Sequence, residues 1–335
     1  MLDERKTAIL RTVVQEYIAT GLPVGSAHIA ATAGVKVSPA TVRNDMALLE
    51  QEGYLVQPHT SAGRIPTDKG YRFFVDSIAT GSHPDRLPAE ISAEQVGSFF
   101  DNATGRLEEL LQRTSGLLTN LTNYAALVVG PSADVATVRS MQVVRLSHRH
   151  GTVVAVLSNG VVQSEPMEIG DEVSDAQVAA ASAHLNAAAY GHVFNQIHLA
   201  PSGDVQVDAL CADALGIMAP HQSDTNVVVG GAAAMAQAFD AVDVVRSVLQ
   251  TLEQQYVVVS LVRDVLDRGL SVAIGSEHGV EPLSACSVVV APVVADGEKL
   301  GTVGVLGPTR MNYPQALATV EAVGTELGRR LAAES

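Results

Sequence analysis

The run VKVSPATVRNDMALLEQEGYL, residues 35 to 55, constrains this chain more than any other. Ser38 offers a side-chain oxygen at an N-cap position, and Pro39 follows at N1, where its missing N–H costs nothing. Val42, Met46 and Leu49 recur at i, i+4 and i+7, which predicts one apolar stripe facing a core. Ala40, Thr41, Arg43, Asn44 and Ala47 then face away. Gly53 terminates the helix. A capped helix whose first exposed turns carry Thr, Arg and Asn is what a reader of the DNA major groove requires. Arg can grip guanine O6 and N7 together, and Asn can do the same to adenine.

The residues before it complete a layout. ERKTAILRTVVQEYIAT places Ile9, Leu10, Val13, Val14, Tyr17 and Ile18 at helical spacing, with charges opposite. GLP ends that helix, Gly21 as a left-handed C-cap and Pro23 where a helix cannot continue. VGSAHIAATAG reads as a short second helix with Ser26 as N-cap, Ile29 and Ala30 inward, and Gly34 as its stop. Helix, short helix, tight connection and amphipathic helix make a helix-turn-helix pattern.

The residues after it, YLVQPHTSAGRIP, predict a two-stranded ribbon. Tyr54 to Val56 is one strand, Ile65 begins the other, and a Gly/Ser/Thr tip lies between them. Gly63 is expected to supply a positive φ at that tip. The hydroxyls, backbone N–H groups and Arg64 of such a wing suit phosphate or minor-groove contact. The alternative is an ordinary polar hairpin. A phosphate cradle of the G-x-x-x-x-G-K-[ST] kind is absent, and His59 has no nearby Cys, Asp or Glu with which to hold a metal. PTDKGYRFFVDSIA adds a helix capped by Thr67, with Tyr71, Phe74 and Ile78 apolar and Lys69 and Arg72 expected outside. The face expected to meet DNA thus comprises Ser26, Ser38, Ala40, Thr41, Arg43 and Asn44 on the helices. His59, Thr60, Ser61, Gly63 and Arg64 continue it on the ribbon, and Lys69 and Arg72 follow.

Charge bears on this reading. The chain of 335 residues carries a net charge of −15, which on its face argues against a polyanionic partner. Residues 1–76, however, hold eight Lys/Arg and eight Asp/Glu, whereas the remainder holds 13 basic and 28 acidic residues. The acidity lies in the C-terminal part, so a neutral binding module is joined to a body with another job. Phosphate grip must then come from local clusters such as Arg43, Arg64, Lys69 and Arg72.

The same residues carry a family resemblance. VSPATVRNDMALLEQEGYLVQPHTSAGRIPTDKGYRFFVD, with TGLPVGSAHIA before it, closely resembles the DNA-binding signature of the heat-inducible transcription repressor HrcA family. AIGSEHGVEPLSACSVVVAP and GTVGVLGPTRMNY, near the other end, are similar to a second block of that family. The resemblance implies an α+β chain: a winged helix-turn-helix, then a GAF-like sheet domain with a mainly helical, dimerising insertion. It implies a homodimer on an inverted repeat upstream of chaperone operons. It also implies that a GroEL-type chaperonin assists folding, so that unfolded protein draws chaperonin away and relieves repression. Two positions depart from the pattern: Ala27 stands where many relatives have a basic residue, and His278 where the family has Asn.

Expected boundaries are 1–80 for the winged domain, 81–90 for a Pro/Gly linker, 91–169 and 226–335 for the two parts of the GAF-like domain, and 170–225 for the insertion. Val-rich strands are expected at AALVVGP, MQVVRLSHRH, GTVVAVLSNG and VVQSEPMEI, then at NVVVGG, LSVAIGS, CSVVVAPVV and GTVGVLG. The SNG and ADGEK stretches read as hairpin turns. Helices are expected at about 91–122, 175–192, 205–219, 240–254, 257–268 and 314–331.

Nothing here reads as an enzyme. His148 and His150 lie at i, i+2 without an acidic third ligand close in sequence. No G-x-S-x-G elbow and no H-E-x-x-H occurs. Arg310, beside Gly307 and Pro308, reads as part of a structural turn. No cofactor is expected. Two cysteines are too few for a disulfide framework and read as buried thiols in a reducing cytoplasm. No apolar run is long enough to span a membrane, and MLDERKTAIL lacks the apolar core of a signal peptide. Two readings of different class remain. One is a heat-shock repressor whose signal is its own folding state. The other is a winged-helix regulator whose GAF-like body binds a small molecule.

Overall fold

The computed structural model describes residues 2–334, apart from 33–36, 60–61, 80–95, 98, 101–106, 131–135, 159–160, 219–226, 232–233, 235–238, 240–241, 270 and 296. The expected linker at 81–90, Gly34, the tip residues Thr60 and Ser61, and the Asn159-Gly160 turn lie outside the described residues.

Helix α1 (Glu4–Thr20) starts at Asp3, whose carboxylate accepts the Lys6 N–H at 2.8 Å. That hydrogen bond holds the Asp3 carboxyl below its ordinary range. The helix ends at Gly21, with φ 68°. Helix α2 (Ser26–Ala31) has Gly25, not Ser26, at its N-cap. Helix α3 (Pro39–Gln51) begins at Ser38, whose hydroxyl accepts the Thr41 N–H at 3.2 Å. Ile9, Leu10, Val13 and Val14 bury against Ile29, Val42, Met46 and Leu49. Each such side chain contributes about 1.5–3 kcal/mol of transfer free energy. Arg5 Nε donates to the buried Asp45 carboxylate at 2.8 Å and ties α1 to α3.

Strand β1 (Leu55–Val56) pairs antiparallel with β2 (Ile65–Pro66), and α4 (Asp68–Ala79) follows. The Thr67 hydroxyl accepts the Gly70 N–H and donates to the Gly53 carbonyl, so it both caps α4 and fastens it to the end of α3. Three helices and a two-stranded ribbon in this order form a winged helix-turn-helix.

The body begins with α5 (Leu107–Thr122), which stops at Asn123, φ 60°, and enters β3 (Ala125–Val129). Strands β4 (Val138–Arg145), β5 (His150–Leu157) and β6 (Val162–Glu168) then form a separate three-stranded antiparallel sheet. Helices α6 (Asp175–Ala189) and α7 (Val205–Met218) cover one of its faces. Ser174 and Gln177 close a reciprocal capping box at the start of α6.

The chain returns through β7 (Val227–Gly230), α8 (Val242–Leu252), α9 (Gln255–Asp267), β8 (Val272–Ile274), β9 (Cys286–Ala295), β10 (Glu298–Pro308) and α10 (Tyr313–Glu334). The large sheet runs β7-β3-β10-β9-β8, and every pair is antiparallel. Its strands are Val-rich because both faces are covered. Ala126, Val128, Val289, Val303 and Val305 join the core under α5 and α10. Ala125, Leu127, Val288, Val290 and Leu306 join the core under α8 and α9.

The helical run after 170 lies outside the large sheet, as its position in the sequence suggests. It does not stand alone, however. β4, β5 and β6 form a sheet apart from the large one, with a further bridge from Val138 to Tyr190, and share a core with α6 and α7.

Candidate nucleic-acid interface

The α3 helix presents two faces. Val42, Asp45, Met46 and Leu49 are buried, whereas Ser38, Ala40, Arg43, Asn44 and Leu48 are exposed. Arg43 and Asn44 make no side-chain hydrogen bond or ion pair among the described residues. Ser38 Oγ lies 3.0 Å from Thr41 Oγ1, so two hydroxyls close the start of the helix beside them. Ser26, half-buried at the first turn of α2, adds a hydroxyl of its own. A donor fork and an amide thus stand free on a helix whose other side is locked into a core.

The ribbon flanks this face. Its tip is drawn together by the Ala62 N–H to His59 carbonyl bond at 2.9 Å and by Gln57 Nε2 donating to the Ala62 carbonyl. His59 is exposed.

Gly63 has a different role from the expected one. It does not adopt a positive φ. A Cβ there would lie 2.4 Å from the Val24 carbonyl oxygen. Val24 and Arg64 exchange both backbone hydrogen bonds at 2.9 Å, so the ribbon is laced to the segment before α2, and only a glycine lets the chains approach so closely.

Three of the four cations expected to grip phosphate hold partners within the protein. Arg64 is 14% exposed, and its guanidinium lies 2.9 Å from the Glu50 carboxylate of α3. Lys69 Nζ donates to the Glu52 carbonyl at the C-cap of α3 and lies 4.3 Å from the Tyr54 ring centroid. Helix-end carbonyls favour a cation in that place. Arg72 faces the body. It pairs in bidentate fashion with Glu277 and donates to the Val272 carbonyl at 2.8 Å. The hydrogen bond to Glu277 raises its already high pKa. The sequence placed Arg72 on the outer face of α4, but the surface it meets comes from residues some 200 positions away.

Sequence reasoning missed Asp68, Glu277 and Ser276. The Asp68 carboxylate accepts both the backbone N–H and the hydroxyl of Ser276 at 3.2 Å. His278, beside them, is buried. Its Nδ1 accepts the Val280 N–H at 3.2 Å, and its Nε2 lies 3.0 Å from the Leu283 carbonyl. Burial pushes its pKa below the ordinary histidine value.

His148 and Arg149 lie on the exposed β4–β5 hairpin, within 3.9 and 3.5 Å of Asp171. No group of three or more His, Cys, Asp or Glu able to hold a metal occurs among the described residues. Cys211 and Cys286 are buried free thiols, with pKa values pushed up to about 11 and about 12 by desolvation. No described helix is long and apolar enough to cross a membrane.

A model of the HrcA protein C-terminal domain matches residues 108–317. The chain is 38% identical to the heat-inducible transcription repressor HrcA of Nocardioides sp., over 99% of each chain. It is 37% identical to that of Acidothermus cellulolyticus, again over 99% of each. The chain belongs to the heat-inducible transcription repressor HrcA family. The relative from Streptomyces avermitilis is 36% identical over 99% of each chain. The HrcA family thus accounts for both ends of the sequence and for the stretch between them. A crystal structure of a hypothetical protein shares the fold, with a TM-score of 0.65 and 22% identity over 100% of both chains.

Proposed function

We propose that this chain represses heat-inducible genes by binding duplex DNA with α3 in the major groove and the β1–β2 ribbon against the backbone. The observation that carries this is the free pair Arg43 and Asn44 on the exposed side of a helix whose buried side is fixed. Ala40 and Thr41 reach the same groove. Ser26, Ser38, His59, Thr60, Ser61 and the wing backbone meet phosphate and sugar. Arg64, Lys69 and Gly63 hold the ribbon and α3 in place and do not grip phosphate themselves.

The protein acts as a homodimer on an inverted repeat upstream of chaperone genes. The outer face of the β4–β5–β6 sheet supports this reading. Val144, Val154, Val156 and Val162 lie there half-buried or exposed, interleaved with Ser140, Gln142, Thr152 and Ser164. A GroEL-type chaperonin sustains its folding, as the family resemblance implies. Pairing β3 with β10 across nearly the whole body is the long-range topology that folds slowly and exposes apolar surface on the way.

The test is binding of the purified chain to a labelled duplex spanning a chaperone promoter of its own organism, against a scrambled duplex, with and without chaperonin during refolding. Tight binding to the promoter alone, with more active protein when chaperonin is present, is the expected result. Equal binding to both duplexes would overturn it.

A further inference from the structure

The winged domain does not hang freely from the body. Helix α4 lies on the turn Gly275–His278 and on α10, and Tyr71, Phe74 and Val75 join one continuous core with Ile274, Met311 and Tyr313. Polar ties close the edge of this seam. Arg72 grips Glu277 and the Val272 carbonyl, and Glu277 is itself held by the Ile274 N–H at 2.8 Å. Asp68 takes both donors of Ser276. The Asp68 carboxylate stands so close to Gly275, φ 53°, that a Cβ there would meet it at 2.3 Å. The turn is therefore shaped around the side chains of α4.

Packing inside the seam is not fully satisfied. The Tyr71 hydroxyl is buried and has no hydrogen-bond partner among the described residues. An orphaned buried hydroxyl works against the closed arrangement, so the charged ties outside it carry more of the hold. None of these residues is on the exposed face of α3.

We propose that Asp68 and Arg72, locked to Ser276 and Glu277, are positioning residues for operator recognition: they fix the angle of the reading helix relative to the body without touching DNA. This rests on the reading of the chain as a dimeric DNA-binding repressor. If the body joins two protomers, a fixed angle sets the spacing and direction of their two α3 helices. Binding to two half-sites at once then gains from a high effective concentration, which a loosened domain loses. Binding to a single half-site needs no such angle.

The experiment uses the full chain with Asp68→Asn plus Glu277→Gln, and separately the exchanged pair Arg72→Glu with Glu277→Arg. Kd is measured on a two-half-site operator and on a single half-site. Spin labels on Glu4→Cys and Glu321→Cys report the distance between the winged domain and the body. The first variant should bind the full operator about tenfold more weakly, match wild type on the half-site, and broaden the distance distribution. The exchanged pair should recover part of the loss, which a simple folding defect would not. An unchanged distance and unchanged full-operator affinity would overturn the proposal, and so would equal weakening on both duplexes. If wild type binds neither duplex, the DNA-binding reading fails, while the distance measurement still decides whether the latch holds the domain.

Discussion

Arg64, at the base of the ribbon, and Glu50, in the last turns of α3, are joined side chain to side chain at 2.9 Å. The wing and the reading helix therefore move as one piece. Arg64→Ala should cost about 1–2 kcal/mol of stability, since it leaves a half-buried carboxylate without its partner. Operator affinity should fall as the wing loosens, while the salt dependence of binding stays as in wild type. Glu50→Gln should reproduce most of the affinity loss. A flatter salt dependence in Arg64→Ala would show instead that Arg64 leaves Glu50 for a phosphate when DNA arrives.

Arg43 and Asn44 stand next to each other on the open side of α3, and among the described residues their side chains hold no hydrogen bond or ion pair. Arg43→Ala should cost about 1–3 kcal/mol and relax base preference at one position in each half-site. Asn44→Ala should do the same at a different position. The check is a set of competition titrations against operators with every single-base change. Uniform weakening across all of them would reduce both residues to backbone contacts.

Gly63 was legible as special, but for the wrong reason. A Gly beside a Ser/Thr tip signals a turn that needs a positive φ, and the sequence contains nothing to reveal Val24 crossing 2.4 Å from where a Cβ would be. Gly63→Ala should destabilise the winged domain by about 2 kcal/mol or more, because the neighbour is backbone and cannot yield. Gly25→Ala, with open space around it, meets no clash and should cost only the Gly-to-Ala difference at an N-cap, about 0.5–1 kcal/mol. Denaturant unfolding of both variants measures the contrast.

The difference between what the sequence showed and what it hid follows from range. The cap at Ser38, the stop at Gly21 and the stripe Val42, Met46 and Leu49 are set by neighbours within a few residues, and each is found where the pattern places it. The strands too lie where Val-rich runs predict them. Which sheet each strand joins is decided by partners far along the chain, so β4 to β6 look the same in sequence as β9 and β10. The fate of Arg72 shows the same limit at the candidate site. Its helical position is local, but the carboxylate that claims it is Glu277.

His278 links the family pattern to pH. The buried ring is held neutral, with Nδ1 accepting a backbone N–H, and desolvation depresses its pKa while backbone hydrogen bonds at Leu283 and Cys286, and after them Asp68 and Glu277, partly offset this. In the unfolded chain the ring titrates near its ordinary 6.5. Above that pH it is neutral in both states and adds no pH dependence. As pH falls below about 6.5, the unfolded chain takes up a proton that the folded chain refuses, so stability drops until the folded pKa is reached. His278→Asn should remove this loss. Unfolding curves from pH 7.5 to 5 should converge for the two proteins as pH falls. Parallel curves would show that His278 does not titrate on unfolding.

Salt dependence tests the whole assignment of charges on the interface. Each phosphate neutralised by a Lys or Arg contributes about −0.9 to the slope of log K against log salt. If Arg64, Lys69 and Arg72 all gripped phosphate with Arg43, each half-site would engage about four cations, and binding would weaken steeply. The structure commits Arg64 to Glu50, Lys69 to the Glu52 carbonyl and Arg72 to Glu277. That leaves Arg43 as the cation standing open on α3, and hydroxyls and N–H groups release no counterions. The slope on a single half-site should then lie at about −1 to −2. Affinity should rest on direct base contacts and on the dimer more than on counterion release. Anisotropy titrations between 50 and 300 mM KCl, on half-site and full operator, give the number. A half-site slope of about −4 would mean that the three cations trade their protein partners for phosphate on binding, and that the arrangement seen here belongs to the free protein alone.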